Sequence, residues 1–354
     1  MRIEQLTFFR FLAAIWVVIF HFGRDVFPFN LPYFNNFFKQ GDIGVSFFFF
    51  LSGFVMIIAY QYKNKVSFVD YMRNRFARIY PVFLLAAMLI LLNKIIQQEG
   101  HMNLKGLLLN LSMLQAWIPG YQLTYNIASW TLSVELFFYL IFPFLFNRFY
   151  TKRAAGLSQV FIAIAAVWVI TQLVLILFKP GLLLNLKGLP HLYDTLRFFP
   201  LMHLNQFLVG NMVGLLFIRR HASNGRNYDL PIILILTLTF IAVQLNKDIN
   251  LFGGLVLIFF APLVYLIAAN NGIITKIVRG RLPVFLGEIS YGIYILQFPL
   301  YYFTKYWLFY MDVKNNTVIF FATLFILIVF SSASYVLFEK PVRDFLKKKK
   351  LKAH

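Results

Sequence analysis

Stretches of about 20 apolar residues recur from one end of this chain to the other, each long enough to cross a hydrocarbon layer as a helix. Lipid offers a backbone no water to bond, so such stretches must satisfy their own amides as helices rather than as loops or open sheets. Ten windows stand out, at 6–22, 43–60, 80–96, 130–147, 157–178, 198–218, 230–245, 251–269, 284–304 and 317–338. They predict an all-α integral membrane protein with about ten transmembrane helices. Charged residues make up only 13% of the 354 residues, against about 25% in a soluble domain, which leaves little polar surface for water to cover.

The charges that remain carry topological information. Formal net charge is +20, and a cytoplasmic amino terminus places 23 of the 33 basic residues on the cytoplasmic side. An even number of spans then puts both termini in the cytoplasm. In this setting the excess of basic residues signals orientation and contact with anionic lipid or substrate, and no nucleic-acid partner is expected. The run of four lysines at 347–350 reads as a topological and lipid anchor. The first apolar run is long and lacks a small-residue cleavage site, so it is expected to stay as the first helix. Residues 1–340 are read as one transmembrane domain and 341–354 as a basic cytoplasmic tail, with no internal repeat and no second domain. The chain has no cysteine, which excludes disulfides, thiolate metal sites and a cysteine acyl-enzyme. Two outer segments look unlike plain loops: 104–120 is apolar but short and ends in Pro119-Gly120, as an interfacial or re-entrant piece would, and 181–194 is a weaker version.

Ionisable groups inside a membrane mark functional sites by default. In the first window, RFLAAIWVVIFH, Arg10 and His21 are eleven residues apart, about three turns plus 20°, so an α-helix puts both on one face at depths about 16 Å apart. Asp25, one turn further on, is positioned to orient the imidazole. Arg10 also fits a side chain snorkelling to the inner interface, and His21 a packing histidine bonded between helices. The fourth window, SWTLSVELFFYLIFP, carries Glu135 about two turns below its outer end, at a depth similar to His21. An imidazole and a carboxyl converging there suit general-base activation of a hydroxyl. The bland alternative is an interhelical bond from Glu135 to a Tyr or Arg.

Ahead of the third window, Arg73, Arg75 and Arg78 cluster on a short helix entering the span. Arg75 and Arg78, three apart, match a bidentate clamp for a phosphorylated ligand, although topological charge explains such a cluster as well. His203 lies near the outer end of the sixth window with Asn205 and Gln206, a candidate lining of the same cavity as His21. Ser133 and Trp130 are candidate acceptor or pocket residues, Trp130 reading more simply as part of the interfacial aromatic belt. No HExxH, Cys/His spacing, GxGxxG or P-loop motif appears, so no metal and no nucleotide fold is expected.

These residues resemble the acyltransferase 3 family, the bacterial integral-membrane acyltransferases that O-acylate cell-surface glycans. The resemblance runs over nearly the whole chain. It is carried by Arg10-x(10)-His21, GDIGVSFFFFLSGF, RFARIYP, SWTLSVELFFYLIFP, LGEISYGIYILQFP and SYVLFEKPVR, in that order. It implies about ten membrane helices in the bacterial inner membrane. It further implies acyl-CoA as donor substrate, usually acetyl-CoA, no tightly bound cofactor, and a carbohydrate hydroxyl or lipid-linked glycan as acceptor. By position, Arg10 and His21 resemble the family's essential pair, Arg75 and Arg78 its RxxR pair, and Glu135 the glutamate after its Trp-Ser-Leu-Ser-Val pattern. Three departures stand out. The usual Leu-Asp-Gly-Leu-Arg entry is Thr-Phe-Phe-Arg here, the histidine common before the ninth-helix proline is Gln297, and no SGNH-type domain follows the last helix.

The resulting expectation is an O-acyltransferase in which Arg75 and Arg78 hold the acyl-CoA phosphates and the pantetheine arm passes Arg10. His21, kept neutral and oriented by Asp25 or Glu135, then takes a proton from the acceptor hydroxyl, so activity should fall at low pH. Direct transfer is preferred, with a covalent intermediate on His21 or Ser133 left open. The competing classes are a polytopic transporter using Arg10, His21 and Glu135 as a substrate or proton pathway, and a non-catalytic membrane assembly protein.

Overall fold

The computed structural model describes residues 3–98, 103–150, 157–179, 190–220, 226–246, 249–342 and 344. Within them the chain forms helices and turns, in the order α1 Gln5–Val18, α2 Asn35–Lys39, α3 Ile43–Tyr60, α4 Phe68–Ile96, α5 Leu104–Leu111, α6 Trp130–Leu145, α7 Leu157–Leu177, α8 Pro190–Phe198, α9 Pro200–Arg220, α10 Asp229–Leu245, α11 Leu257–Ala269, α12 Ile273–Val278, α13 Arg281–Tyr310 and α14 Asn316–Ser334. Three of them widen into a π turn at the end: α1 at Ile19–Gly23, α6 at Phe146–Tyr150 and α14 at Tyr335–Glu339.

Seven of these helices are long and apolar enough to cross a membrane, extending over Gln5–Gly23, Ile43–Tyr60, Phe68–Ile96, Ile127–Tyr150, Leu157–Leu177, Pro200–Arg220 and Asn316–Val342. The other three expected spans coincide with α10, of 17 residues, α11, of 13, and α13, which is 30 residues long but carries Glu288, Gln297 and Lys305.

Two expected boundaries are corrected. The arginine cluster does not sit on a separate short helix: α4 runs unbroken for 29 residues through Pro81. The eighth window does not start its helix at 251, because Gly254 adopts φ +112° and a Cβ there would lie 2.3 Å from Asn205 Oδ1. The carbonyls of this turn are bonded from the surrounding helices. Ser46 Oγ and Gln206 Nε2 donate to Phe252 O at 2.7 and 3.0 Å, Gln172 Nε2 to Gly253 O at 3.0 Å, and Trp168 Nε1 to Gly254 O at 2.9 Å. Irregular backbone survives at depth when protein donors replace water in this way.

The core closes around two intimate helix pairs, α3 with α9 and α1 with α13. Glycines let their backbones touch: a Cβ on Gly53 would lie 2.1 Å from Phe207 O, one on Gly210 2.0 Å from Phe50 O, and one on Gly287 2.0 Å from Thr7 O. No flexible side chain can yield at these contacts. Gly53→Ala and Gly210→Ala should therefore each cost about 1–3 kcal/mol, the usual cost of overpacking, read as a lowered Tm in thermal unfolding followed by size-exclusion chromatography. An unchanged Tm in both would contradict the packing. From the 104–120 segment, expected to be interfacial or re-entrant, Asn110 Nδ2 and Gln115 Nε2 both donate to Ser129 Oγ just ahead of α6, at 2.7 and 3.2 Å, which ties α5 and the turn after it to the start of α6. The 181–194 segment lies largely outside the described residues, and the lysine run wholly so.

Candidate functional site

The starts of α1, α4 and α13 and the ends of α3 and α14 meet at one end of the bundle around a cavity of about 600 Å³. Its wall carries four guanidinium groups, Arg10, Arg73, Arg75 and Arg78, against two carboxylates, Glu288 and Glu339. Deeper in, a chamber of about 80 Å³ shares Arg10, Arg75, Arg78 and Tyr291 with it and adds Glu135 and Tyr139. The cluster's spacing explains why its members converge: residues three apart on a helix share a face, so Arg75 and Arg78 both turn inward from α4.

Arg75 packs against two phenol rings set nearly at right angles to each other. Its guanidinium lies 5.2 Å from the Tyr71 ring centre and 5.6 Å from that of Tyr139, and its buried Nε has no hydrogen-bond partner. A buried donor left unsatisfied is costly, and a ligand anion entering the chamber would supply the missing acceptor. Glu135 accepts a hydrogen bond from Tyr139 Oη at 2.8 Å and lies in the field of Arg78, Arg10 and Arg75. Arg73, nearer the rim, pairs with Asp70 at 2.9 Å.

The placement of Glu135 corrects the expectation that it pairs with His21. The depths matched along each helix, but the carboxylate turns toward the arginines, and His21 lines neither chamber. His21 sits half-buried in the π turn that ends α1, its ring 4.8 Å from Phe298 and 4.8 Å from Phe20. A π turn takes more residues per turn than an α turn and recurs at functional sites. The α-helical projection of Arg10 and His21 onto one face therefore holds only as far as Val18.

Asp25 is also corrected as an orienting group. The chain has left the helix by Arg24, and the Asp25 carboxylate points to solvent, 76% exposed, 3.5 Å from Arg24 Nε.

Trp130, Ser133 and His203 belong to a third environment. His203 is 1% exposed and both ring nitrogens are engaged: Nε2 at 2.9 Å from Arg197 O, and Nδ1 at 3.2 Å from Gln206 Nε2. Nε2 must donate to the carbonyl, so Nδ1 accepts from the amide, and neither is free for chemistry. Trp130 is buried rather than belted at an interface, packed on Phe49, Phe198, His203 and Phe252 with ring centres 5.0–6.0 Å apart. Ser133 Oγ accepts from the Ala116 N–H at 3.4 Å. Next to them Arg197 Nη2 bonds Asp42 Oδ2 at 2.6 Å, tying α8 to the start of α3. Burial pushes the Asp42 carboxyl up, outweighing the downward pull of Arg197. This cluster is packing, not a pocket.

Sequence reasoning did not single out Glu288, Tyr291, Tyr335 or Glu339, which complete the basic cavity. Tyr335 donates a short hydrogen bond to Glu288, and Ser334 Oγ donates to Glu339 Oε1 at 3.4 Å. Their signal was a carboxylate inside each of two apolar segments, LGEISYGIY and SYVLFEK. No cluster of three or more potential metal ligands occurs among the described residues.

The sequence profile of the acyltransferase 3 family, described as an acyltransferase domain, matches residues 3–336. The chain belongs to the acyltransferase 3 family. Acyltransferase 3 membership and the apolar helices together make it a multi-pass membrane protein. Among curated relatives, the acyltransferase MdmB of Streptomyces mycarofaciens is 34% identical over 151 residues, covering 40% of this chain and 38% of that protein. A putative acetyltransferase, ORF330 of Acidianus two-tailed virus, is 23% identical over 298 residues, 83% of this chain and 81% of that protein. No solved structure matches.

Proposed function

We propose that this member of the acyltransferase 3 family is an O-acyltransferase that moves an acyl group, expected to be acetyl, from acyl-CoA to a hydroxyl of a surface glycan or its lipid-linked precursor. The observation that carries this reading is the convergence of Arg10, Arg75 and Arg78 on one cavity whose deepest guanidinium has an unpartnered, buried Nε. The phosphates of the donor fit there. With about ten spans in a bacterial inner membrane and both termini in the cytoplasm, this cavity faces the compartment where acyl-CoA is made.

His21 acts as general base from the π turn that follows α1, at the opposite end of that helix from Arg10. It takes the proton from the acceptor hydroxyl, the oxygen attacks the thioester carbonyl carbon, the carbon–sulfur bond breaks, and the proton passes to the CoA sulfur. Glu135, hydrogen-bonded to Tyr139 amid the arginines, positions them rather than the histidine.

The test is incubation of proteoliposomes with acetyl-CoA labelled in the acetyl group, together with envelope extract as acceptor. The expected result is label in the glycan fraction and a matching release of free CoA. Solute counterflow without acyl-CoA and no CoA release would overturn the proposal in favour of a transporter.

A further inference from the structure

The basic cavity occupies one end of the bundle, and a second cavity of about 290 Å³ opens toward the other. It is lined by Asn93 and Lys94 of α4, Gln97 just after its end, Tyr125 of the turn before α6 and Tyr302 of α13, with aliphatic side chains between them. The same two helices build both cavities: α4 carries Arg78 in the first and Lys94 in the second, about 24 Å further along its axis, and α13 carries Tyr291 and Tyr302, about 16 Å apart.

One phenyl ring lies between the wall of this second cavity and His21. Phe298 meets the imidazole edge-on at 4.8 Å and the ring of Tyr302, on the cavity wall, at 6.2 Å. The turn of α13 that bears both rings is braced from the cavity side. Pro299 has no N–H for the carbonyl of Ile295, and Asn126 Nδ2 donates to that carbonyl instead, at 2.9 Å. Asn93 Nδ2 donates to Pro299 O at 3.1 Å. The turn between the cavity and His21 is thus braced by two carboxamides, which favours a fixed geometry for a group held there.

We propose that this second cavity seats the acceptor, as one sugar-sized hydroxyl-bearing unit, across the Phe298 ring from His21. This rests on the acyl-transfer reading above. Carboxamides, phenols and an ammonium, with no carboxylate among the described lining residues, match a polyhydroxylated ligand. The volume sits at the lower limit of small-ligand sites, about 300 Å³, room for one ring and not for a chain. Donor and acceptor then enter from opposite ends and meet at the histidine.

The absence of cysteine makes the test clean. Leu123→Cys, at a half-exposed lining position, and Gln97→Cys on the facing wall are each modified with a bulky maleimide, and modification is confirmed by mass spectrometry. Binding of labelled acetyl-CoA and transfer of label to envelope glycans are measured before and after. The expected result is transfer reduced at least about tenfold by modification with acetyl-CoA affinity unchanged. Full modification without loss of transfer overturns the proposal, as does loss of donor binding, which would assign the cavity to the donor. Thiols the reagent cannot reach overturn it too, because the acceptor could not reach them either. Absence of both donor binding and transfer in the unmodified wild type would instead overturn the acyl-transfer reading.

Discussion

Replacing Arg75 and Arg78 together by glutamine should weaken acetyl-CoA binding by about two to four orders of magnitude, while the protein stays monodisperse. A hydrogen bond to a charged group contributes about 1.5–3 kcal/mol, and the pair removes two such contacts to phosphate. Glutamine keeps some length and polarity in the wall, which limits collapse of the chamber. Arg75→Lys alone should fail nearly as badly as Arg75→Gln, because a lysine ammonium lacks the planar guanidinium that packs against Tyr71 and Tyr139 and its fixed fork of paired donors for a phosphate. Arg73→Gln should weaken binding less than about tenfold, since Arg73 is already paired with Asp70 at the rim. The measurement is equilibrium binding of labelled acetyl-CoA in detergent micelles. Wild-type affinity in the double variant would remove the basic cavity as the donor site.

The helices were legible because lipid imposes a single solution on a long apolar stretch, and most window boundaries fell within a few residues of them, although only seven helices are long and apolar enough to cross a membrane among the described residues. The exceptions have local causes. Gly254, at positive φ, delays α11 to Leu257, and side-chain donors on three neighbouring helices satisfy that turn, a condition invisible in a one-dimensional pattern. The Arg75/Arg78 pair could be read from spacing, because helix geometry alone decides which residues share a face.

Depth could be counted in the same way, but lateral placement could not. Glu135 and His21 were matched in depth, yet packing turns Glu135 toward Tyr139 and the arginines and His21 toward Phe298. The π turns at Ile19–Gly23 and Tyr335–Glu339 re-aim His21 and Glu339, and sequence periodicity built on 3.6 residues per turn has no sign for them. Trp130 shows the limit from the other side. A tryptophan near a span's end reads as belted at an interface, and only the rings of Phe49, Phe198 and Phe252 around it reveal an internal anchor.

His21→Ala should abolish acyl transfer by about two to four orders of magnitude, the usual contribution of a positioned general base, and leave acetyl-CoA affinity within about twofold of wild type. The separation of the two readouts follows from the geometry: His21 lines neither chamber of the basic cavity, so deleting its ring leaves the donor's phosphate contacts intact. His21→Gln should be equally inactive, because a carboxamide fills the space beside Phe298 but has no basic nitrogen. Asp25→Asn should retain near-wild-type transfer, since that carboxylate lies in solvent beside Arg24 and does not touch the imidazole. Glu135→Gln should behave differently again, weakening donor binding rather than the chemical step, because its partners are Tyr139 and the arginines. Single-turnover transfer with donor bound beforehand distinguishes these cases. Full single-turnover rate in His21→Ala would remove the histidine as base, and a strongly impaired Asp25→Asn would mean that the π turn after α1 rearranges when substrates bind.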